Sequence, residues 1–277
     1  MDQIVGVPPH AQKGRAKPAA DMHAGRSGWL QRLLRRRALF LALVASLILL
    51  SPGVQAEGDV DLRLVLAVDA SGSVSPERFD LQRSGYAEAF RHPSVLKAIQ
   101  SGAKRAIAVT MMQWTGPGQN AQVVPWMRIS DQGSMLAVAN AIEASPRQLF
   151  GGGTSISGAI DQGMMLLATS PFSANRSVID ISGDGGNNRG RLVTEARDEA
   201  IAAGAVINGL PILELDKTLD QHYLRNVIGG PNAFMIPAAS FAEFADAILK
   251  KLIIEIADLP SGGVKYASRA RKGCERC

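Results

Sequence analysis

Cysteine is almost missing from this 277-residue chain: there are two, Cys274 and Cys277, both among the last four residues. Two thiols cannot build a four-ligand zinc site, and the pair does not follow a strand at the head of a helix, where a redox Cys-X-X-Cys belongs. The body of the chain therefore folds without disulfides, and the tail pair reads as an incidental small disulfide or two free thiols. A membrane-length apolar run is missing too. Residues 38–50 form an apolar stretch of thirteen residues, where a spanning helix needs about 20. A concentrated basic face is also lacking, although the net charge is +5. Residues 1–56 hold eight bases and two acids, and residues 261–277 hold five and one, which leaves 17 of the 30 bases and 22 of the 25 acids in residues 57–260. A body of net charge −5 has no surplus with which to neutralise phosphates, so nucleic-acid binding is excluded.

What is present at the N-terminus is an export pattern. Arg32, Arg35, Arg36 and Arg37 precede the apolar stretch, which is followed by Pro52-Gly53 and the small-residue end Val54-Gln55-Ala56. Basic, apolar and small-residue parts in that order are the layout of a secretory signal peptide, with cleavage expected after Ala56. An uncleaved anchor is the alternative. The organisation expected is thus an N-terminal extension and signal peptide over 1–56, one domain over 57–260, and a basic tail over 261–277. The mature protein is expected in the periplasm or outside the cell, with no stable membrane span.

About 200 residues suffice for one core. Leu62–Val68 is a near-continuous apolar run of strand length, suited to a parallel strand buried on both faces. Ser75-Pro76-Glu77 starts a helix to about Arg91, stopped by Pro93. Ala106–Trp114 and Gln122–Ile129 read as strands joined by the turn-rich 115–120, and Ser130-Asp131 caps a helix to about Ala144. Gly151-Gly152-Gly153 precedes a helix from Ser155 to Ala168. Val178–Ser182 is a buried strand, Gly190–Ala203 a helix with Gly204 at its left-handed C-cap, Ala205–Leu210 a strand and Ala233–Ile236 a short one. Ser240 and Glu243 suggest a capping box for a last helix whose Phe241, Phe244, Ile248, Leu252 and Ile256 recur at helical spacing. The alternation predicts an α/β fold: a doubly wound, mostly parallel sheet with helices on both faces and one antiparallel edge hairpin.

In such a sheet, ligands bind at the carboxyl ends of the strands, and three polar clusters fall there. Asp69-Ala70-Ser71-Gly72-Ser73 follows the first strand, and residues two apart point to the same side of an extended chain. Thr154 follows three glycines that let backbones approach closely. Asp184 sits in Ser182-Gly183-Asp184-Gly185-Gly186, after the strand from Val178. Two carboxylates and three hydroxyls, without imidazole or thiolate, are hard oxygen donors that suit Mg²⁺, Mn²⁺ or Ca²⁺ rather than zinc. Two negative charges around a doubly charged ion leave it able to attract one more anionic ligand. Each cluster also has a structural reading. Asp69 to Ser73 could be an Asx or Ser turn, Thr154 or Ser155 an N-cap, and Asp184 an ordinary turn residue.

The order Asp69-X-Ser71-X-Ser73, Thr154, Asp184-Gly185 resembles the metal-ion-dependent adhesion site of von Willebrand factor A (VWA) type domains, over roughly residues 60–257, and the chain looks closest to a bacterial exported branch of undefined function. The resemblance implies that Asp69, Ser71, Ser73, Thr154 and Asp184 hold a divalent cation, and that an aspartate or glutamate of a partner protein completes its coordination. It implies a binding module rather than an enzyme. One departure is Gly183, where many relatives carry threonine, so the Asp184 loop is expected on a different path.

A phosphatase with Asp69 as nucleophile is the enzyme alternative, but it needs a second carboxylate two residues on as general acid, and Ser71 stands there. The glycine loop lacks the Gly-Lys-Ser/Thr ending of a nucleotide cradle. A scaffold with a degenerate site is the third reading. His92 and His222 have no partners at ligand spacing and read as surface or satisfied structural residues, and Trp114 and Trp126 as cover for a core edge. Asp180 interrupts a buried strand and needs a partner; support behind the metal site is preferred over an ion pair.

Overall fold

A computed structural model describes residues 58–257. The export signal and basic tail read from the sequence lie outside the described residues. Five strands form one sheet. At its centre, β1 (Gly58–Asp69) pairs in parallel with β2 (Ile107–Trp114) on one side and β4 (Phe172–Gly183) on the other. The outer strand β3 (Asn120–Ile129) returns antiparallel to β2, and β5 (Val206–Pro211) pairs in parallel with β4. This is the doubly wound, mostly parallel sheet with one antiparallel edge pair that the alternation of elements predicts.

The period of two along β1 explains why its sequence is apolar on both sides. Leu62, Leu64, Leu66 and Val68 enter one core with Tyr86, Phe90, Phe244 and Leu252, while Val65 and Ala67 enter the other with Ile160, Leu167 and Ala196. The first face is covered by α1 (Pro76–Arg91), α2 (Pro93–Gln100), α3 (Gln132–Ala144) and the last helix, and the second by α4 (Ile156–Ala168) and α5 (Val193–Ala202). A short α6 (Leu219–His222) runs into a wider turn over Tyr223–Val227, and α7 (Phe244–Ile256) closes the domain. Among the described residues no helix is long and apolar enough to cross a membrane.

Helix starts follow local chemistry. The Ser75 hydroxyl accepts from the Arg78 N–H to cap α1, and Asp131 with Ser134 forms a capping box on α3. The expected stop at Pro93 is also a start. His92 ends α1, its Nδ1 accepts the Ser94 N–H at 3.2 Å, and Pro93 opens α2, because proline at the first helical position forfeits no internal hydrogen bond.

Three expectations need correcting. The helix expected from Gly190 begins at Val193, since Asn188 and Arg189 direct their N–H groups to the Thr154 carbonyl and Gly190 has φ +85°. Residues 233–236 make a single bridge from Met235 to Gly209 rather than a strand. Ser240 makes no side-chain cap: Phe241–Glu243 is a 3-10 turn, and the Phe241 N–H goes to Glu214 Oε2 at 3.0 Å.

Candidate metal centre

At the carboxyl edge of the sheet, β1 ends at Asp69, which is fully buried. Its Oδ1 accepts the Ser71 N–H at 2.7 Å, the turn an Asx residue makes on its own backbone. Its carbonyl accepts Gln82 Nε2 at 3.1 Å. Its other oxygen, Oδ2, is buried and has no partner. The hydroxyls of Ser71 and Ser73 lie 3.3 Å apart, and Ser73 Oγ donates to Asp184 Oδ1 at 2.6 Å. Asp184 Oδ2 is likewise buried without a partner.

The glycine loop completes the cluster. A β-carbon on Gly72 would stand 3.3 Å from the Gly152 carbonyl, so the loops before Thr154 and around Ser71 are in contact. One on Gly185 would meet Thr154 Oγ1 at 3.6 Å, which places that hydroxyl beside the Asp184 loop. Ser155, not Thr154, caps α4, its hydroxyl accepting the Gly158 N–H. Hydrogen bonds thus link Asp69, Ser71, Ser73 and Asp184 in one chain, and the Thr154 hydroxyl lies beside the Asp184 loop.

Two carboxylates close together in a dry site strain each other. Burial, then the charge of Asp184, pushes the Asp69 carboxyl from 3.8 up to about 7. Burial also raises Asp184, opposed by the Ser73 hydroxyl and the Arg78 charge. Without another positive charge, the pair resists full ionisation. The donor set fits a hard divalent cation: two carboxylates with one unpartnered oxygen each, and three neutral hydroxyls.

The departure at Gly183 has a steric cause. A β-carbon there would stand 2.8 Å from Asp69 Oδ2, 3.2 Å from Trp114 Cζ2 and 3.2 Å from the Tyr223 hydroxyl. Two large buried aromatics fill the space a side chain would need. The Tyr223 hydroxyl is itself buried without a partner, so an unpaired polar atom lies on the inner side of Asp69. With glycine at 183, Asp184 reaches Ser73 at 2.6 Å.

Sequence reasoning missed several supports. Asn188 Oδ1 accepts the Thr154 N–H at 2.9 Å, and Asn187 Oδ1 accepts the Ser157 N–H at 3.1 Å. Two adjacent asparagines after a Gly-Asp-Gly-Gly run were the available signal, since asparagine caps backbone ends. The ring of His222 lies 3.7 Å from where a Gly186 β-carbon would be, so it packs against the Asp184 loop. His92 is exposed and caps α2, whereas Trp126 is half-buried and donates to the Leu166 carbonyl. Asp180 is corrected: its partner is Lys251 on α7, Nζ to Oδ1 2.7 Å, and Lys251 also meets Glu255 at 3.1 Å, all three buried. The carboxylate lies on the face of β4 toward α7, so α7 and not the metal centre supplies its counter-charge.

Residues 59–260 match the family model described as "Protein of unknown function (DUF1194)". The chain belongs to this family. A comparison with curated proteins gives no match. Among solved structures, the pilus adhesin SpaC from Lactobacillus rhamnosus GG aligns at 16% identity and TM-score 0.53, over 73% of this chain and 31% of that one. Proximal thread matrix protein 1 from the mussel byssus, with a zinc-occupied MIDAS motif, aligns at 13% identity and TM-score 0.50, over 72% of this chain and 46% of that one. The DUF1194 chain thus spans less than half the length of either, and at such identities the likeness concerns the fold. That fold is of the VWA type.

Proposed function

We propose that residues 57–260 form an exported, metal-dependent protein-binding module of the adhesion or assembly kind, in which a divalent cation bridges this domain to an acidic side chain of a partner protein. Asp69, Ser71, Ser73, Thr154 and Asp184 would hold the ion, with Mg²⁺ the first choice and Mn²⁺ or Ca²⁺ able to replace it. The observation that carries this reading is the pair of buried carboxylates, each with an orphaned oxygen and a raised pKa, among three hydroxyls. Buried unpartnered charge is unfavourable unless something of opposite sign arrives. When bound, the ion supplies that charge and a coordination position for an incoming carboxylate. Asp69 and Asp184 are the only carboxylates among the five residues, so the acidic ligand at the open coordination position would come from the partner. The Ser71 N–H fixes Asp69, Ser73 orients Asp184, Asn188 holds the backbone at Thr154 and Asn187 holds it at Ser157.

The fold shared with a pilus adhesin supports a binding role, and residues 1–56, with their basic, apolar and small-residue parts, support export. Calorimetry on the domain with Mg²⁺, Mn²⁺ and Ca²⁺ in turn is the test. We expect binding that Ser71→Ala weakens and Asp184→Ala weakens more, because the latter removes one of two charges. No binding at millimolar metal would leave only the scaffold role.

A further inference from the structure

Among the large apolar side chains that stand in solvent on loops at the carboxyl edge are Phe150, 74% exposed, and Leu215, 55% exposed, with Leu192 a third at 65%. An arginine ties Phe150 to the Asp69–Ser73 loop, and another ties Glu214, the neighbour of Leu215, to it. Arg147 Nη2 donates to the Ala70 carbonyl at 2.9 Å, while its guanidinium carbon lies 5.2 Å from the centre of the Phe150 ring. Phe150 also precedes the glycine loop that touches Gly72. On the other side, Arg78 Nη1 donates to the Ser73 carbonyl at 3.0 Å, and its Nη2 meets Oε1 of Glu214, the neighbour of Leu215, at 2.5 Å. An exposed aromatic held by a cation–π contact is presented in a fixed place rather than left to roam. Fixed presentation lowers the ordering cost of binding, and aromatic side chains are the usual anchors of protein contacts.

We propose that Phe150, the metal centre and Leu215 form one composite docking surface, and that it takes a partner segment in which an acidic residue is flanked by apolar side chains. The inference rests on the metal-bridge reading, which supplies the central carboxylate contact. The charges agree with it. With Asp69 and Asp184 neutralised by the ion and Arg78 paired with Glu214, Arg147 remains as a cation beside the Asp69–Ser73 loop, which favours an acidic segment and disfavours a basic one. The flanking apolar groups would then select among acidic segments, which a bare ion cannot do.

The test uses three blocked tripeptides and the Mg²⁺-loaded protein, with affinities read by NMR shift titration. One has aspartate between two glycines, one has aspartate between leucine and phenylalanine, and one has asparagine in that apolar frame. We expect the apolar-flanked aspartate to bind about tenfold tighter than the glycine-flanked one, from partial burial of two side chains. Phe150→Ala and Leu215→Ala should each shrink that advantage, while the glycine-flanked peptide binds both variants as it binds the wild type. Equal affinity for the two aspartate peptides, or an advantage that survives both variants, overturns the composite surface and leaves the metal bridge intact. Equal affinity for the aspartate and asparagine peptides, or binding that persists in chelator, overturns the metal bridge and this proposal with it.

Discussion

If Asp69 is strained in order to attract a cation, replacing it by asparagine should make the metal-free protein more stable and the metal-loaded protein less so. Asparagine keeps the shape of the side chain and an oxygen for the Ser71 N–H, and removes only the charge. In the unfolded chain, Asp69 releases its proton near pH 4; in the fold it does so near 7, because burial and Asp184 oppose ionisation. Between those values the native state holds more protons than the unfolded state, so the contribution of Asp69 to stability falls as pH rises. Above pH 7 both states are ionised and the penalty is complete. A shift of about three units corresponds to about 4 kcal/mol as an upper bound. Asp69→Asn should therefore match the wild type near pH 4 and exceed it by up to about 4 kcal/mol at pH 8, both in chelator. Metal at a hundred times its Kd should then stabilise the wild type by about 2.7 kcal/mol and the variant by much less. Urea unfolding at pH 4.5, 6 and 8, with chelator and with Mg²⁺, measures every one of these quantities. A metal-free variant no more stable than the wild type at pH 8 would refute the idea that the site stores carboxylate strain.

Lys251→Met should destabilise the domain by about 3–5 kcal/mol, because it leaves Asp180 and Glu255 buried without their cation; thermal unfolding in chelator reads this free of the metal site. Gly183→Ala should cost about 1–3 kcal/mol, since its β-carbon would sit 2.8 Å from Asp69 Oδ2. It should also raise the Kd for Mg²⁺, and an unchanged Kd would detach the inner face of Asp69 from metal binding. The exported protein should begin near Glu57; N-terminal sequencing that returns Arg32–Arg37 would remove both the cleavage and the periplasmic assignment.

The fold was legible wherever one residue type decides a local structure. Apolar runs marked β1, β2 and the buried half of β4, because a strand covered on both faces cannot carry many polar groups. Ser75-Pro76 and Asp131 marked helix starts, since a capping oxygen or a missing N–H acts within three residues. Legibility failed where a distant group took over the local role. The Glu243 N–H that a Ser240 cap would take goes to the Ser240 carbonyl, while Glu214, from another loop, holds the Phe241 N–H; Thr154 takes the N–H groups of Asn188 and Arg189 just before α5. Helix α2 has a different cause: the proline that marks the end of one helix also opens the next, and that second role depends on the His92 side chain capping it.

The candidate site divides along the same line. Its oxygen donors sit next to strand ends and glycines, so sequence order alone suggested that they meet. The groups that make the site unusual come from far away in the chain. Asp180 could be recognised as a buried carboxylate, yet nothing near it in sequence says that its counter-charge, Lys251, lies 71 positions on in the last helix. Gly183 could be recognised as a departure, yet its reason is the meeting of Trp114 at the end of β2 with Tyr223 in the turn after α6. A glycine in that position therefore reports a crowded neighbourhood rather than a flexible loop. That distinction bears on function, since a β-carbon at 183 would press on Asp69 Oδ2, the oxygen left unpartnered for the cation.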